Sequence, residues 1–242
     1  MNAMHVSVRV DGNVGLLEFD GTSGVTNELA SALIEACRGF SEDHTVLAVV
    51  LAGPDGAFGD DTAESRGARE AAAAISALPV PTIAAVNGPA SGGGAELALA
   101  CDLRVASEDA SFQFPHLAWG VVPGAGGTQR LPRVVGRARA LELLLLGEKI
   151  TARDAWTMGL VTKVVPSGAA LDEALELAAR FVEKAPIAVR YLREAVLQGM
   201  ELSLEQGLRL EADLYFLLQT TADRLEGINA FLEKRRPLFR GE

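Results

Sequence analysis

The stretch between residues 81 and 100 places a run of glycines between two largely apolar segments. It reads PTIAAVN (81–87), GPASGGG (88–94) and AELALA (95–100). The first apolar run predicts a strand covered on both faces, and the second predicts a buried helix. Glycines at such a junction let the backbone approach a ligand and leave unpaired N–H groups at the start of the helix. We therefore predict a site for negative charge at this turn, either a phosphate or a developing oxyanion.

The glycine run is not a nucleotide-binding motif. It lacks the GxxxxGK[ST] pattern of P-loops, and it is not a GxGxxG with a ribose-binding acid downstream. Glu96 lies three residues after Gly93, nearly one helical turn, so its carboxylate can lie on the same side as the Gly93 N–H. Two interpretations follow: an acid–base group beside an oxyanion donor, or a glutamate that only complements the helix dipole.

Strand-like and helix-like segments alternate in the first half of the chain, and the second half is mostly helical. Strands are predicted at 6–10, 14–19, 46–51, 81–87 and 103–106, with a late strand at 161–165. Helices are predicted from Asn27, as the capping residue, to about 40, then in an alanine-rich segment to about 78 and at 95–100. Seven more helices are predicted near 127–135, 136–146, 152–158, 169–184, 187–199, 203–219 and 222–234. This order predicts an α/β fold with a helical cap or assembly module. The helix at 202–218 carries many apolar residues, which indicates either packing against another subunit or folding back on its own domain.

Composition excludes several classes of protein. The 22 Lys and Arg against 32 Asp and Glu give a net charge of −10, and the one dense basic cluster is at 234–236, so we expect no nucleic-acid partner. Cys37 and Cys101 match neither a disulfide framework nor a zinc-ligand spacing, and we expect no metal. The N-terminus has no apolar signal core, and the longest apolar run, 140–146, is too short to span a bilayer. We therefore expect a cytoplasmic protein with no membrane partner.

A second glycine cluster, VVPGAGGTQR (121–130), leads into a predicted helix. On its own it is either a plain turn before that helix or a ligand-binding loop.

Long stretches around both glycine clusters resemble the crotonase superfamily of enoyl-CoA hydratases and isomerases. They are PTIAAVNGPASGGGAELALACDLRVASEDASF and VVPGAGGTQRLPRVVGRARALELLLLGEKITARDAWTMGLVTKVV, and EGINAFLEKRRPLF is similar to the closing helix of that family. The resemblance covers nearly the whole chain. It implies a crotonase-like spiral of ββα units in residues 1–185 and a C-terminal helical trimerisation region in 186–242. A homotrimer or a dimer of trimers is the implied assembly.

The resemblance also implies the chemistry. An acyl-CoA thioester is the implied substrate, with no cofactor beyond its coenzyme A, and two backbone N–H groups stabilise the thioester enolate in an oxyanion hole. Gly93 matches the second N–H donor, and Glu96 matches the first catalytic glutamate of the hydratases. Phe231 and Lys234 fall where family members contact the CoA nucleotide of a neighbouring subunit, although Lys234 also fits a solvated helix end.

The first oxyanion donor falls in a segment that departs from the family pattern. The usual motif is Phe-x-Ala-Gly-Ala-Asp-Leu, whereas this chain reads AFGDDTA at 57–63. Aligned without a gap, the donor is the Thr62 N–H; with two residues deleted after Phe58, the donor is the Asp60 N–H. The acidic residues also fit a solvated turn. The shorter segment that follows implies a reduced lid over the acyl chain.

The second departure is at His116, where the hydratases place a second glutamate. Hydration of a conjugated thioester needs a water that is held and deprotonated, and a proton delivered to the α-carbon. A glutamate and a histidine can share this work, because histidine acts as acid or base near neutrality. Alternatively, His116 only fills the pocket wall.

These observations predict an enzyme of the enoyl-CoA hydratase/isomerase family. The reaction that they favour is that of a lyase similar to enoyl-CoA hydratase. With one carboxylate, the same enolate chemistry also serves a decarboxylase, an isomerase or a C–C hydrolase. The alternative that is not an enzyme is a catalytically silent homologue that only binds acyl-CoA.

Ser91 and His116 resemble the Ser–His pair of Clp-type proteases, but no third member of a triad is found. Gly124 stands where some dienoyl-CoA isomerases carry Asp, which disfavours that subtype.

Overall fold

The structure is a computed structural model that describes residues 6–20, 24–53, 57–59 and 67–242. Its strands are β1 (Val6–Asp11), β2 (Val14–Phe19), β3 (Ala48–Ala52), β4 (Thr82–Val86), β5 (Pro89–Ser91), β6 (Leu103–Ser107), β7 (Ser111–Gln113), β8 (Ile150–Thr151) and β9 (Lys163–Val165). Its helices are α1 (Asn27–Glu42), α2 (Ala68–Ala77), α3 (Gly93–Ala100), α4 (Gly127–Val135), α5 (Arg137–Leu146), α6 (Ala152–Thr157), α7 (Ala170–Val182), α8 (Pro186–Gly199), α9 (Leu204–Leu218) and α10 (Ala222–Glu233). A 3-10 helix spans Pro115–Trp119.

The larger sheet has six strands in the order β1-β2-β3-β4-β6-β9. The β1–β2 hairpin is antiparallel, and every other pair is parallel. β3 and β4 are buried along their whole length, as their unbroken apolar runs predict. The parallel strands bring their carboxyl ends, where the site residues follow, to one edge of the sheet.

Alternate residues of these strands enter two separate cores. Leu17, Leu51 and Ala84 belong to the core shared with α1, α2 and α3. Their neighbours in sequence face α7, whose fully buried residues in this core are alanines one helical turn apart: Ala170, Ala174 and Ala178. Because these small side chains let α7 approach closely, the sheet is covered on both faces.

A second, smaller sheet lies beside the first, in the order β5-β7-β8. The sequence predicted a loop at 88–94, and that prediction was wrong for Pro89–Ser91, which forms β5. β5 pairs with β7, about 22 residues later, and Gly59 bridges to Ala90 on its other side. Such short strands depend on partners distant in sequence and have no periodicity of their own. The repeated order of two strands and a helix is the predicted spiral of ββα units.

The helical second half is confirmed, with each of the seven helices within two residues of its predicted bounds. One capping prediction was wrong: Thr26, not Asn27, caps α1, because its hydroxyl accepts the Leu29 N–H. Arg193 of α8 fastens the C-terminal helices to the core by contacts to Asp102 and to the Leu78 and Ser76 carbonyls.

The C-terminal helices expose many large apolar side chains. On α8 to α10 these are Leu192, Val196, Leu197, Leu204, Leu208, Tyr215, Phe216, Leu217, Leu225, Ile228, Phe231 and Leu232. None of the helices in the described part of the chain has the length and apolar character needed to cross a bilayer.

Candidate active site

The glycine turn at the start of α3 lies against the chain around Gly59. The Phe58 N–H donates to the Pro89 carbonyl at 2.9 Å, and the Ser91 N–H donates to the Gly59 carbonyl at 2.9 Å. A Cβ at Gly94 would lie 2.6 Å from the Gly59 Cα, and one at Gly59 would lie 2.5 Å from the Gly94 Cα. Since both distances are far below van der Waals contact, the two backbones meet only because both residues are glycine.

Gly93 is the first residue of α3, as the predicted position of an oxyanion donor requires. Gly92 precedes it with φ +49°, and no side chain caps the helix. The first N–H groups of a helix have no acceptor within the helix, and the Gly93 N–H is one of them. Asp60 and Thr62, the two predicted sources of the other donor, lie outside the described residues.

Glu96 lies on the first turn of α3 and is only 1% exposed. Its Oε1 accepts two backbone hydrogen bonds, from Ala125 N at 2.8 Å and from Gly127 N at 2.7 Å. We call residues 123–127 the carboxylate-binding loop. A buried carboxylate requires such donors, because desolvation of a charge is costly without them. The second glycine cluster is thus a loop that binds a side chain of the protein itself.

Gly127 has to be glycine for this contact. A Cβ there would lie 3.0 Å from Glu96 Oε1 and 2.8 Å from the Pro123 Cβ. Gly127 is also the first residue of α4, so the positive end of that helix faces the carboxylate.

His116 lies on the 3-10 helix and is 6% exposed. Its Nε2 is 3.3 Å from Glu96 Oε2, and its ring meets Trp119 edge to face at 5.9 Å between centroids. Its Nδ1 is buried and has no hydrogen-bond partner among the described residues. In a neutral imidazole one ring nitrogen is a donor and the other an acceptor, so Nδ1 accepts in the tautomer that carries its proton on Nε2.

The structure therefore brings together Glu96 of α3 and His116 of the 3-10 helix, which are 20 residues apart in sequence. Ser91 lies on β5, paired with Gln113 of β7. The contact of His116 Nε2 is with a carboxylate, which favours an acid–base pair over a serine nucleophile.

Sequence reasoning missed Arg130. Its Nη1 donates to the Ala125 carbonyl at 2.7 Å and its Nη2 to Ser76 Oγ at 2.8 Å, so it ties the carboxylate-binding loop to α2. Burial lowers the pKa of the Arg130 guanidinium, and the charge of Glu96 opposes that shift. The only feature of the sequence that could have indicated this role is the position of Arg130, about one helical turn after Gly127.

Phe231 and Lys234 belong to the end of α10, apart from the Glu96–His116 pair. Phe231 is 82% exposed and lines an apolar cavity of about 410 Å³ with Ile228, Leu232 and Phe239. Lys234 ends the helix with φ +54°, the one non-glycine residue with positive φ in the described part of the chain.

The turn at Lys234 is held by its neighbour Arg235. The Nη1 and Nη2 atoms of Arg235 donate to Glu226 at 2.5 and 2.8 Å, and Glu226 also accepts the Leu238 N–H. This fork of hydrogen bonds fixes the direction in which the chain leaves α10.

Comparison with known proteins gives consistent results. The family described as enoyl-CoA hydratase/isomerase matches residues 22–242. The chain is 48% identical over 169 residues to the 2,3-dehydroadipyl-CoA hydratase of Escherichia coli, covering 70% of this chain and 66% of that protein. It is 38% identical to the mitochondrial enoyl-CoA hydratase of Pongo abelii, covering 95% and 84%. Several curated relatives are matched over only 56 to 66% of their length.

The structural comparison extends over the whole fold. The crystal structure of the enoyl-CoA hydratase from Bacillus anthracis superimposes with a TM-score of 0.92 at 36% identity, covering 98% of this chain and 99% of that one. Together with the family match over residues 22–242, this likeness shows that the chain has the crotonase fold and belongs to the enoyl-CoA hydratase/isomerase family.

Proposed function

We propose that the protein adds water across the C2–C3 double bond of a 2-enoyl-CoA thioester. The observation that carries the proposal is the buried contact of Glu96 with His116, beside the glycine turn that starts α3. Relatives named as hydratases support it. The pair supplies acid–base groups, and the turn supplies a backbone donor for the thioester oxygen.

The Gly93 N–H is proposed as one of two donors to that oxygen. The other comes from Asp60 or Thr62. The close approach of Gly59 to Gly94 supports this, because it directs the chain before Asp60 to the start of α3. Loss of one such donor typically costs about 10²–10³ in rate.

Proton transfer is assigned to Glu96 and His116. The water oxygen bonds to C3, and the C2–C3 π electrons move onto the thioester as an enolate. One water proton passes to the pair, and the pair delivers one proton to C2, so its net protonation is unchanged. Oε1 of Glu96 is fixed by two N–H groups, so the proton is proposed to move through Oε2 and the His116 ring beside it. The reaction consumes only thioester and water, and the proposed cofactor requirement is none beyond the CoA of the substrate.

A homotrimer or a dimer of trimers is the proposed assembly. The exposed apolar side chains of α8 to α10 support it, since a surface of that extent is typical of an interface. In such an assembly Phe231 and Lys234 would contact the CoA nucleotide bound to a neighbouring subunit. Residues 1–185 would then form the catalytic core and 186–242 the oligomerisation region, in a cytoplasmic protein with neither a nucleic-acid nor a membrane partner.

The test is the loss of the enone absorbance of crotonyl-CoA on addition of the protein. Turnover is expected, and a Glu96→Gln variant should retain binding of the thioester while losing turnover. No turnover with enoyl-CoA of any chain length, together with reaction of malonyl-CoA or diketone thioesters, would overturn the hydratase assignment.

One observation favours a second candidate. Glu96 is the single carboxylate of the pair, because His116 stands where the hydratases have glutamate. A decarboxylase, isomerase or C–C hydrolase can use one carboxylate and the same enolate. Turnover of malonyl-CoA or a diketone thioester by the unmodified protein, lost in Glu96→Gln, with no hydration of crotonyl-CoA, would favour this candidate. Binding of CoA thioesters by titration calorimetry, without turnover of any of them, would instead indicate a binding protein.

A further inference from the structure

A cavity of about 670 Å³ adjoins the carboxylate-binding loop. Ala125 and Gly126 form part of its wall, and the start of α2 and the exposed side of α4 form the rest. Its volume is in the range of small-molecule sites. Ala125 both lines the cavity and donates its N–H to Glu96, so only this residue separates the cavity from the proposed catalytic carboxylate.

The lining of this cavity is basic. Arg69, Arg130 and Arg133 line it, with Glu201 as the one carboxylate among its lining residues. This concentration of positive charge stands out in a chain whose net charge is −10. A basic cavity in an acidic protein favours an anionic ligand.

Two of the three arginines already have hydrogen-bond or ion-pair partners within the protein. Arg130 donates to the Ala125 carbonyl and Ser76, and Arg133 pairs with Glu201 at 3.1 Å and donates to the Gln129 carbonyl. Arg69, in the first turn of α2, is exposed and has no ion pair or hydrogen bond with any residue that the structure describes. Its side chain lines the cavity, where its guanidinium can pair with a ligand.

We propose that this cavity binds the far end of the acyl chain, and that Arg69 pairs there with a terminal carboxylate. The inference rests on the proposed hydration, which puts C2 and C3 at Glu96 and leaves the rest of the chain to extend past Ala125. The substrate class is then a 2-enoyl-CoA whose acyl chain ends in an acidic group. Guanidinium binds carboxylate through two parallel hydrogen bonds, which makes Arg69 a specificity-determining residue.

The experiment compares two thioesters that differ only at the last carbon. In 2,3-dehydroadipyl-CoA the chain ends in a carboxylate, and in trans-2-hexenoyl-CoA it ends in a methyl group. The unmodified protein should have the higher kcat/KM for the acid. Arg69→Gln should lower the ratio of the two kcat/KM values about tenfold or more, as for a charge-assisted hydrogen bond. Arg9→Gln, on the edge strand β1, is the matched control and should leave the ratio unchanged.

Other outcomes of this experiment would overturn the proposal. An equal loss for both thioesters would overturn the proposal and assign Arg69 to a phosphate of CoA, which both substrates share. An unchanged ratio would also overturn it. If neither thioester is turned over, hydration fails, and calorimetry then tests the cavity by itself: Arg69→Gln should weaken binding of the acidic thioester relative to the neutral one, and equal binding would overturn the subsite.

Discussion

Glu96 Oε2 and His116 Nε2 lie 3.3 Å apart in a region that excludes nearly all solvent. The other oxygen of Glu96 accepts hydrogen bonds from two backbone N–H groups of the carboxylate-binding loop. Desolvation favours the neutral form of a carboxyl group, and donors to the charged form oppose that effect. The arrangement thus fixes one oxygen of the carboxylate and places the other beside a ring that can take or give a proton.

Glu96→Gln is expected to lower kcat by about 10²–10⁴, the usual contribution of general acid–base catalysis. Glutamine keeps the shape and one acceptor for the Ala125 and Gly127 N–H groups, so the fold and thioester binding should be retained. Steady-state kinetics with crotonyl-CoA, together with calorimetric binding, checks both parts. Loss of binding along with turnover would mean that Glu96 supports the structure rather than the chemistry.

His116→Gln separates the chemical role of His116 from its role as a neighbour of Glu96. The amide can still donate to Glu96 Oε2 but cannot relay a proton, so kcat should fall by about 10² or more with little change in thermal stability. His116→Leu also removes the donor, and an unsatisfied buried group should cost about 1–3 kcal/mol of stability. If His116→Gln were as active as the unmodified enzyme, the ring would only fill the pocket wall.

Gly127→Ala tests the geometry of the carboxylate-binding loop. The new methyl group would lie 3.0 Å from Glu96 Oε1 and 2.8 Å from Pro123 Cβ, so the carboxylate must move. We expect kcat to fall at least tenfold with a smaller change in KM, because misplacement affects the reacting atoms more than CoA. Gly124→Ala is the matched control: a Cβ there meets nothing within 4 Å. Equal effects of the two changes would contradict this account.

Much of the fold follows from local sequence signals. The unbroken apolar runs of β3 and β4 and the helical periodicity after residue 127 predict their elements closely, because each pattern is complete within one segment. β5 was missed because it has three residues and is defined by pairing with β7 and Gly59. The sequence contains no comparable local signal for such contacts.

The candidate site also has one part that the sequence predicts and another that depends on contacts between distant residues. Glu96 and Gly93 could be placed together because one helical turn joins them, and the structure puts both in the first turn of α3. The donors to Glu96 come from residues 29 and 31 positions away, so spacing could not reveal them. The contact of Glu96 with His116 and the tie from Arg130 to Ser76 likewise depend on packing between elements. The roles of Gly93, Glu96 and His116 stay predictions.

Glu226 gives a prediction for pH dependence at the end of α10. Its side-chain hydrogen bonds to Arg235, with the Leu238 N–H second, lower the pKa of Glu226 from 4.5 to about 2. Because the folded-state pKa is the lower one, the contact stabilises the fold above the unfolded-state value and loses this effect as pH falls from about 4.5 to 2. Carboxyl chemical shifts measured by NMR across this range should therefore show Glu226 titrating at a pH well below 4.5.

Removing the partner tests the cause of that shift. In Arg235→Gln the pKa of the Glu226 carboxyl should rise toward its ordinary value, with the Leu238 N–H still lowering it, whereas Arg209→Gln, on exposed α9, should leave that pKa unchanged. The same Arg235→Gln change releases the turn that holds Lys234 in its left-handed conformation, so KM for CoA thioesters should rise more than kcat falls. A Glu226 that titrates normally in the unmodified protein would show that the Arg235 fork is not formed in solution, and the proposed presentation of Lys234 to CoA would lose its structural support.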